Sequence, residues 1–170
     1  MVGESNYLLY GIESNCIMIE IVKSELEAAG VKQVDANGEF LLSDSKPTLF
    51  PGGVYGFFVE LSEEEAQAFF DEASERNAAY LDSFEKFQPI QDCLYPIYWG
   101  KDKSIGKRPY EHLNDPKGTG SIRLSTYYSL VNKRIHSIAI VVDNNDRLES
   151  HLQNKFPHLL LTKTAQHNAI

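Results

Sequence analysis

Tyr98-Trp99-Gly100-Lys101, then Arg108, then His112-Leu113, gather the side chains best suited to handling a phosphate. Arg108 and His112 stand four residues apart, so on a helix they share one face, one turn from each other. A strand ending at Gly100 delivers Tyr98 and Lys101 near the start of that helix. Arginine grips a phosphate through two parallel hydrogen bonds. Cationic donors stabilise the extra charge of a pentacovalent transition state, and tyrosine or histidine relays protons. The chemistry these four groups point to is phosphodiester cleavage. Each also has a plainer reading: tyrosine in an aromatic strand is commonly packing, and arginine or histidine on a helix is commonly a solvated face.

The surrounding pattern supplies elements to hold them. Gly53 to Leu61 is rich in Val, Tyr and Phe and reads as a strand. Ser62 with Glu65 three residues later is a capping box, opening a helix whose body is expected to run to about Phe84. Residues 92–100 form a second strand, with Pro96 at an edge or bulge. A helix is expected from about Ile105 to Asn114, its start limited by Pro109. Ile122 to Val131 reads as helical, His136 to Val142 as a buried strand, and Asn145 to Phe156 as an amphipathic helix. Leu159 to Leu161 can add a short strand. Before these lie a short strand at Asn6–Ile12, a helix at 15–29 closed by Gly30, and a strand at Glu39–Leu42. Without the helix after Ser62, the order from residue 53 is β-β-α-α-β-α.

Tyr98-Trp99-Gly100, with arginine eight residues after the glycine and histidine four after that, resembles the second half of the signature of GIY-YIG nucleases. Gly53-Val54-Tyr55 resembles the first half, and Leu148 to Phe156 resembles the helix carrying that family's single acidic metal ligand. The resemblance covers residues 53–60 and 94–160. It implies an α+β fold with a β-β-α-α-β-α core, a small antiparallel sheet flanked by helices. An acidic segment, 1–52, would pack on a nuclease domain, 53–170, that carries an acidic helical insert at about 61–93. It also implies roles: Tyr55 activates the attacking water, Tyr98 lines the site, Arg108 holds the scissile phosphate, His112 assists by hydrogen bonding or proton relay, and Glu149 binds one divalent metal, Mg²⁺ or Mn²⁺. Lys101 is placed to lower the pKa of a neighbouring tyrosine. Glu149 alternatively fits the third helical position of a capping box opened by Asp146. The sequence departs from the family pattern in three places. Tyr55 and Tyr98 are 43 residues apart rather than in a tight hairpin, Trp99 replaces the usual isoleucine, and the closing asparagine has no counterpart.

Charge is divided unevenly. Residues 1–92 carry 5 Lys/Arg against 18 Asp/Glu, and residues 93–170 carry 11 against 6, with all five histidines. A basic working surface joined to an acidic part is expected, with DNA as the partner that the resemblance implies. Lys103, Lys107, Lys117, Arg123, Lys133 and Arg134 are candidate contacts to its backbone; all equally suit solubilising charges. Sequence specificity would come from the insert, the N-terminal segment or a homodimer. The acidic half suits a protein partner, and in a second reading that half is the working surface of a nuclease-derived binding module without catalysis. A third reading is an unrelated α+β protein. Two cysteines, Cys16 and Cys93, form no metal-binding spacing. No apolar run is long enough to span a bilayer and no signal peptide is evident, so no membrane partner and a cytoplasmic location are expected.

Overall fold

A computed structural model of the chain describes residues 18, 20–30, 53–102, 107–114, 120–140 and 145–162, and the backbone course of 35–41. The expected strand at Asn6–Ile12 lies outside these. The architecture is α+β. Four strands, β1 (Asp35–Leu41), β2 (Gly53–Glu60), β3 (Leu94–Asp102) and β4 (Arg134–Ile140), form one sheet in the order β1-β4-β2-β3. Every neighbouring pair is antiparallel. The helices are α1 at residues 20–28, α2 (Glu63–Glu75), α3 (Lys107–Asn114) and α4 (Asn145–Lys155).

Alternation along β2 builds two cores. Tyr55, Phe57 and Val59 face one side, with Ala66, Phe69 and Ala73 of α2, Leu113 of α3, and Ile122, Leu124, Tyr127 and Leu130. Val54 and Phe58 face the other, with Val22 and Leu26 of α1, Trp99, Ile138, and Leu148 and Leu152 of α4. The central strand thus buries both faces, which is why it reads as an unbroken apolar run. On β3 the alternation breaks. Phe57 pairs with Tyr98 but Phe58 pairs with Pro96, leaving Ile97 as the extra residue of a bulge. Ile97 and Tyr98 therefore both pack on the Tyr55 side, while Trp99 packs on the other. The edge or bulge expected at Pro96 is present as both.

The capping box forms: Ser62 Oγ accepts from Glu65 N–H at 3.2 Å, and Glu65 Oε2 accepts from Ser62 N–H at 2.9 Å. The helix stops at Glu75 rather than near Phe84, because Asn77 adopts a left-handed conformation (φ 52°), and a 3₁₀ turn follows at Phe84–Lys86. The helix expected over Ile122–Val131 is instead two 3₁₀ turns, Leu124–Thr126 and Tyr128–Leu130. Arg123 is left-handed (φ 56°), and Thr126 Oγ1 donates back to the Arg123 carbonyl at 2.8 Å, local bonding that competes with an α-helix. The observed order from residue 53 is β2-α2-β3-α3, two 3₁₀ turns, β4-α4. Residues 158–161 fold back along the edge of β3: Leu159 and Leu160 N–H donate to the carbonyls of Pro96 and Ile97, and Leu161 N–H to that of Ala78.

Candidate active site

The register of β2 and β3 places Tyr55 opposite Gly100, next to Tyr98. The two rings lie over that glycine. A Cβ at Gly100 would sit 2.6 Å from Cζ and Oη of Tyr55 and 2.6 Å from Cε1 of Tyr98, closer than any real contact. On the opposite face Gly56 makes the same room for Trp99, whose ring would meet an added Cβ at 2.5 Å. The glycine of the second motif half, Gly100, is therefore explained by ring packing across the sheet, as is Gly56 beside the first half.

α3 brings His112 to the pair. Ring centroids are 6.3 Å apart for Tyr55–Tyr98, 5.9 Å for Tyr55–His112 and 4.7 Å for Tyr98–His112. His112 Nδ1 accepts the Ile122 N–H at 3.1 Å, so Nε2 carries the ring proton and donates it to the Tyr55 hydroxyl at 2.9 Å. Burial, with Arg108 adding to it, pushes the imidazole down to about 3, so it is neutral at physiological pH. In this state His112 is a hydrogen-bond donor to Tyr55 and not an acceptor of its proton.

Burial raises both phenols: Tyr55 well above its ordinary value and Tyr98 to about 12. The expected lowering by Lys101 is reversed in sum. Lys101 and Arg108 do pull Tyr98 down, but desolvation and the charge of Glu149 outweigh them. Lys101 is itself engaged, its Nζ lying 2.6 Å from Asp146 Oδ1 and 2.9 Å from Glu149 Oε2, carboxylates that hold it above the usual lysine range. α4 starts at Asn145, so Asp146 is inside the helix rather than capping it, and both acids turn to Lys101.

Arg108 is half-buried. One guanidinium nitrogen meets Glu111 Oε2 at 2.9 Å and the other donates to the Gly120 carbonyl at 2.6 Å. Its charge acts on Tyr55, Tyr98 and His112, and that of Glu149 on both tyrosines. The six candidates Tyr55, Tyr98, Lys101, Arg108, His112 and Glu149 thus form one electrostatically connected cluster. Accessibility is graded: Tyr55 is 3% exposed and His112 fully buried, whereas Arg108, Glu149 and Lys101 reach the surface.

The flanking cations are less uniform. Lys133 ion-pairs with Glu65 of α2, so it is tied to the acidic insert. Arg123 occupies the left-handed turn before Leu124, and Arg134 starts β4. Lys103, Lys117 and the side chain of Lys107 lie outside the described residues. Sequence reasoning missed Asp146 as a partner of Lys101, the Ile122 amide that fixes the histidine tautomer, and His158. The His158 ring stacks on Tyr98 (5.4 Å, 22°) and its Nδ1 accepts from Trp99 N–H at 3.0 Å. Only Asp146 carried a signal, its (i, i+3) spacing to Glu149.

Among the described residues, no cluster of three or more His, Cys, Asp or Glu side chains is arranged to hold a metal, and no helix is long and apolar enough to cross a membrane. The donor set that does exist is two carboxylates, Asp146 and Glu149, whose oxygens already converge on one cation, the Lys101 ammonium. Oxygen donors of this kind suit Mg²⁺ or Mn²⁺ held largely by water and substrate oxygens. No protein-family model, no curated protein and no solved structure matches the chain.

Proposed function

We propose that the protein is a GIY-YIG-type endonuclease that hydrolyses DNA phosphodiester bonds with a divalent metal. The observation that carries this reading is convergence. Tyr55 and Tyr98 are separated by a whole helix in sequence, yet they share one patch with His112, Arg108 and Glu149. Glu149 would hold the metal, which supplies Lewis acidity to the phosphate and leaving oxygen when bound. The chain's own groups do the rest. Arg108, at the surface of the patch, exchanges the Glu111 carboxylate for a phosphate oxygen. Tyr98 stays protonated at neutral pH and donates a hydrogen bond to the phosphate. Tyr55, raised well above its ordinary value and accepting the His112 Nε2–H, stays a phenol and orients the attacking water by hydrogen bonding, while the proton of that water passes to bulk solvent. The acidic insert, to which Lys133 is tied through Glu65, is in this reading a surface that DNA avoids or a docking surface for a basic protein.

The burial of Tyr55 and His112 favours a second reading, in which the fold persists as a binding module without catalysis. Cleavage of supercoiled plasmid with Mg²⁺ or Mn²⁺ separates the two. Nicking or linearisation by the wild type, reduced about 10²–10³-fold in Glu149→Ala and Arg108→Ala, is the expected outcome. A folded wild type inactive on every DNA tested, or cleavage indifferent to both substitutions, removes the enzyme reading.

A further inference from the structure

Lys101 is the one cluster residue to which the proposed reaction gives no task. Past the bulge of β3, Trp99 and Lys101 are two residues apart and face the same side of the sheet, where Trp99 meets Leu148 and Leu152 of α4. Asp146 and Glu149 are three apart near the start of that helix and share one of its faces. Strand and helix therefore converge, and the Lys101 Nζ lies 2.6 Å from Asp146 Oδ1 and 2.9 Å from Glu149 Oε2.

An ammonium held between two carboxylate oxygens fills the place a hard cation would take with the same donors. The two cations exclude each other. An ammonium and a divalent ion on these oxygens are like charges in close contact, and they repel even in water. Mobility decides which gives way. Asp146 and Glu149 are carried by a helix, whereas the Lys101 side chain is 38% exposed and has a long flexible stem that can carry its ammonium elsewhere.

We propose that Lys101 is an intramolecular competitor for the divalent ion: it occupies Asp146 and Glu149 until the ion binds, then leaves them and turns its ammonium to the substrate phosphate. This inference rests on the metal-dependent reading of the site and deepens it. The exchange breaks two ion pairs and forms no covalent bond, and the ammonium keeps its proton. Metal binding and the release of a phosphate-gripping cation thereby become one event.

Mn²⁺ binding, read from the electron paramagnetic resonance signal of the free ion, tests this without DNA or cleavage. Lys101→Met keeps an unbranched stem and removes the charge. It is expected to bind Mn²⁺ about tenfold more tightly than the wild type, because no ion pair has to be broken first. Arg108→Met removes an equal charge whose partners are Glu111 and Gly120, and is expected to change the affinity less than about threefold. Glu149→Gln is expected to abolish binding with Lys101 or Met at position 101. In the wild type, acylation of Lys101 by an N-hydroxysuccinimide ester, followed by mass spectrometry, is expected to quicken severalfold on adding Mg²⁺, while that of Lys86, paired to Asp82, stays the same. Equal Mn²⁺ affinity in wild type and Lys101→Met, tightening matched by Arg108→Met, or Lys101 acylation slowed by Mg²⁺ overturns the proposal and leaves the metal site standing. Mn²⁺ bound by neither wild type nor Lys101→Met, or bound regardless of Glu149, overturns the metal-dependent reading as well.

Discussion

Replacing Gly100 by alanine tests the packing that brings the two tyrosines together. In an ordinary strand this change is mildly stabilising, by about 0.4–1 kcal/mol, because the unfolded chain loses freedom. Gly100 is not in a left-handed conformation, so no backbone strain opposes the substitution. The opposing term is steric. The new methyl meets Tyr55 and Tyr98 at 2.6 Å, and both rings are packed in the core. Overpacking of this kind costs roughly 1–3 kcal/mol, leaving a net loss of about 1–2 kcal/mol. For a chain of this size that lowers Tm by about 2–8 °C. Trp99 is the single tryptophan and is fully buried, so its fluorescence reports urea or thermal unfolding directly. In a Tyr98→Ala background one of the two obstructions is gone, and the penalty should shrink by at least about 0.5 kcal/mol. A Gly100→Ala protein as stable as the wild type, or a penalty unchanged without the Tyr98 ring, would falsify the geometry of the cluster.

His112 and His158 are held neutral by burial, at about 3 and about 4, below the ordinary 6.5. Because these folded values are depressed, the unfolded chain binds more protons as pH falls below about 6.5. Stability should therefore decline from there toward pH 4, by up to about 1.4 kcal/mol per pH unit for each histidine. Urea midpoints at pH 7, 6 and 5 measure this, and a flat profile would contradict the burial of both rings. Glu72 of α2 accepts Tyr128 N–H, Ser129 N–H and Ser129 Oγ at 2.9, 2.9 and 2.6 Å. Glu72→Ala should cost roughly 1–3 kcal/mol through the donors it strands, read as a lower denaturation midpoint. Ser62→Ala should cost about 1 kcal/mol by removing the cap of the same helix, whereas Ser62→Asp should not.

The parts of this molecule legible in its sequence are those set by local chemistry. Ser62 and Glu65 mark the start of α2 because the capping bonds span only three residues. β2 announces itself by a nearly unbroken apolar run, and β4 by Ile138-Ala139-Ile140 at its end. What escaped was decided by contacts distant in the chain or by single backbone angles. Strict alternation would send Ile97 and Tyr98 to opposite faces, and only the bulge, a property of pairing with β2, sets both beside Tyr55. The stretch after Ile122 has helical spacing, but a left-handed Arg123 and serine and threonine side chains turn it into 3₁₀ segments. Tyr98, Lys101, Arg108 and His112 were named from their types and spacing, and Tyr55 and Glu149 from the resemblance to a known signature. Their electrostatics were not, since desolvation, absent from any sequence pattern, overrides the charge of Lys101 at Tyr98.

The return of residues 158–161 along β3 has a consequence for association and for the order of folding. β3 lies at one end of the sheet, and an open strand edge is a template for pairing with another chain. Here the carbonyls of Pro96 and Ile97 and the amide of Trp99 are already claimed, the last by a side chain 59 residues downstream. Until that segment arrives, the bulged edge stays available to intermolecular strand exchange. A chain lacking residues 158–161 should therefore aggregate during refolding, in addition to losing the native stability that the buried Leu159 and Leu160 contribute.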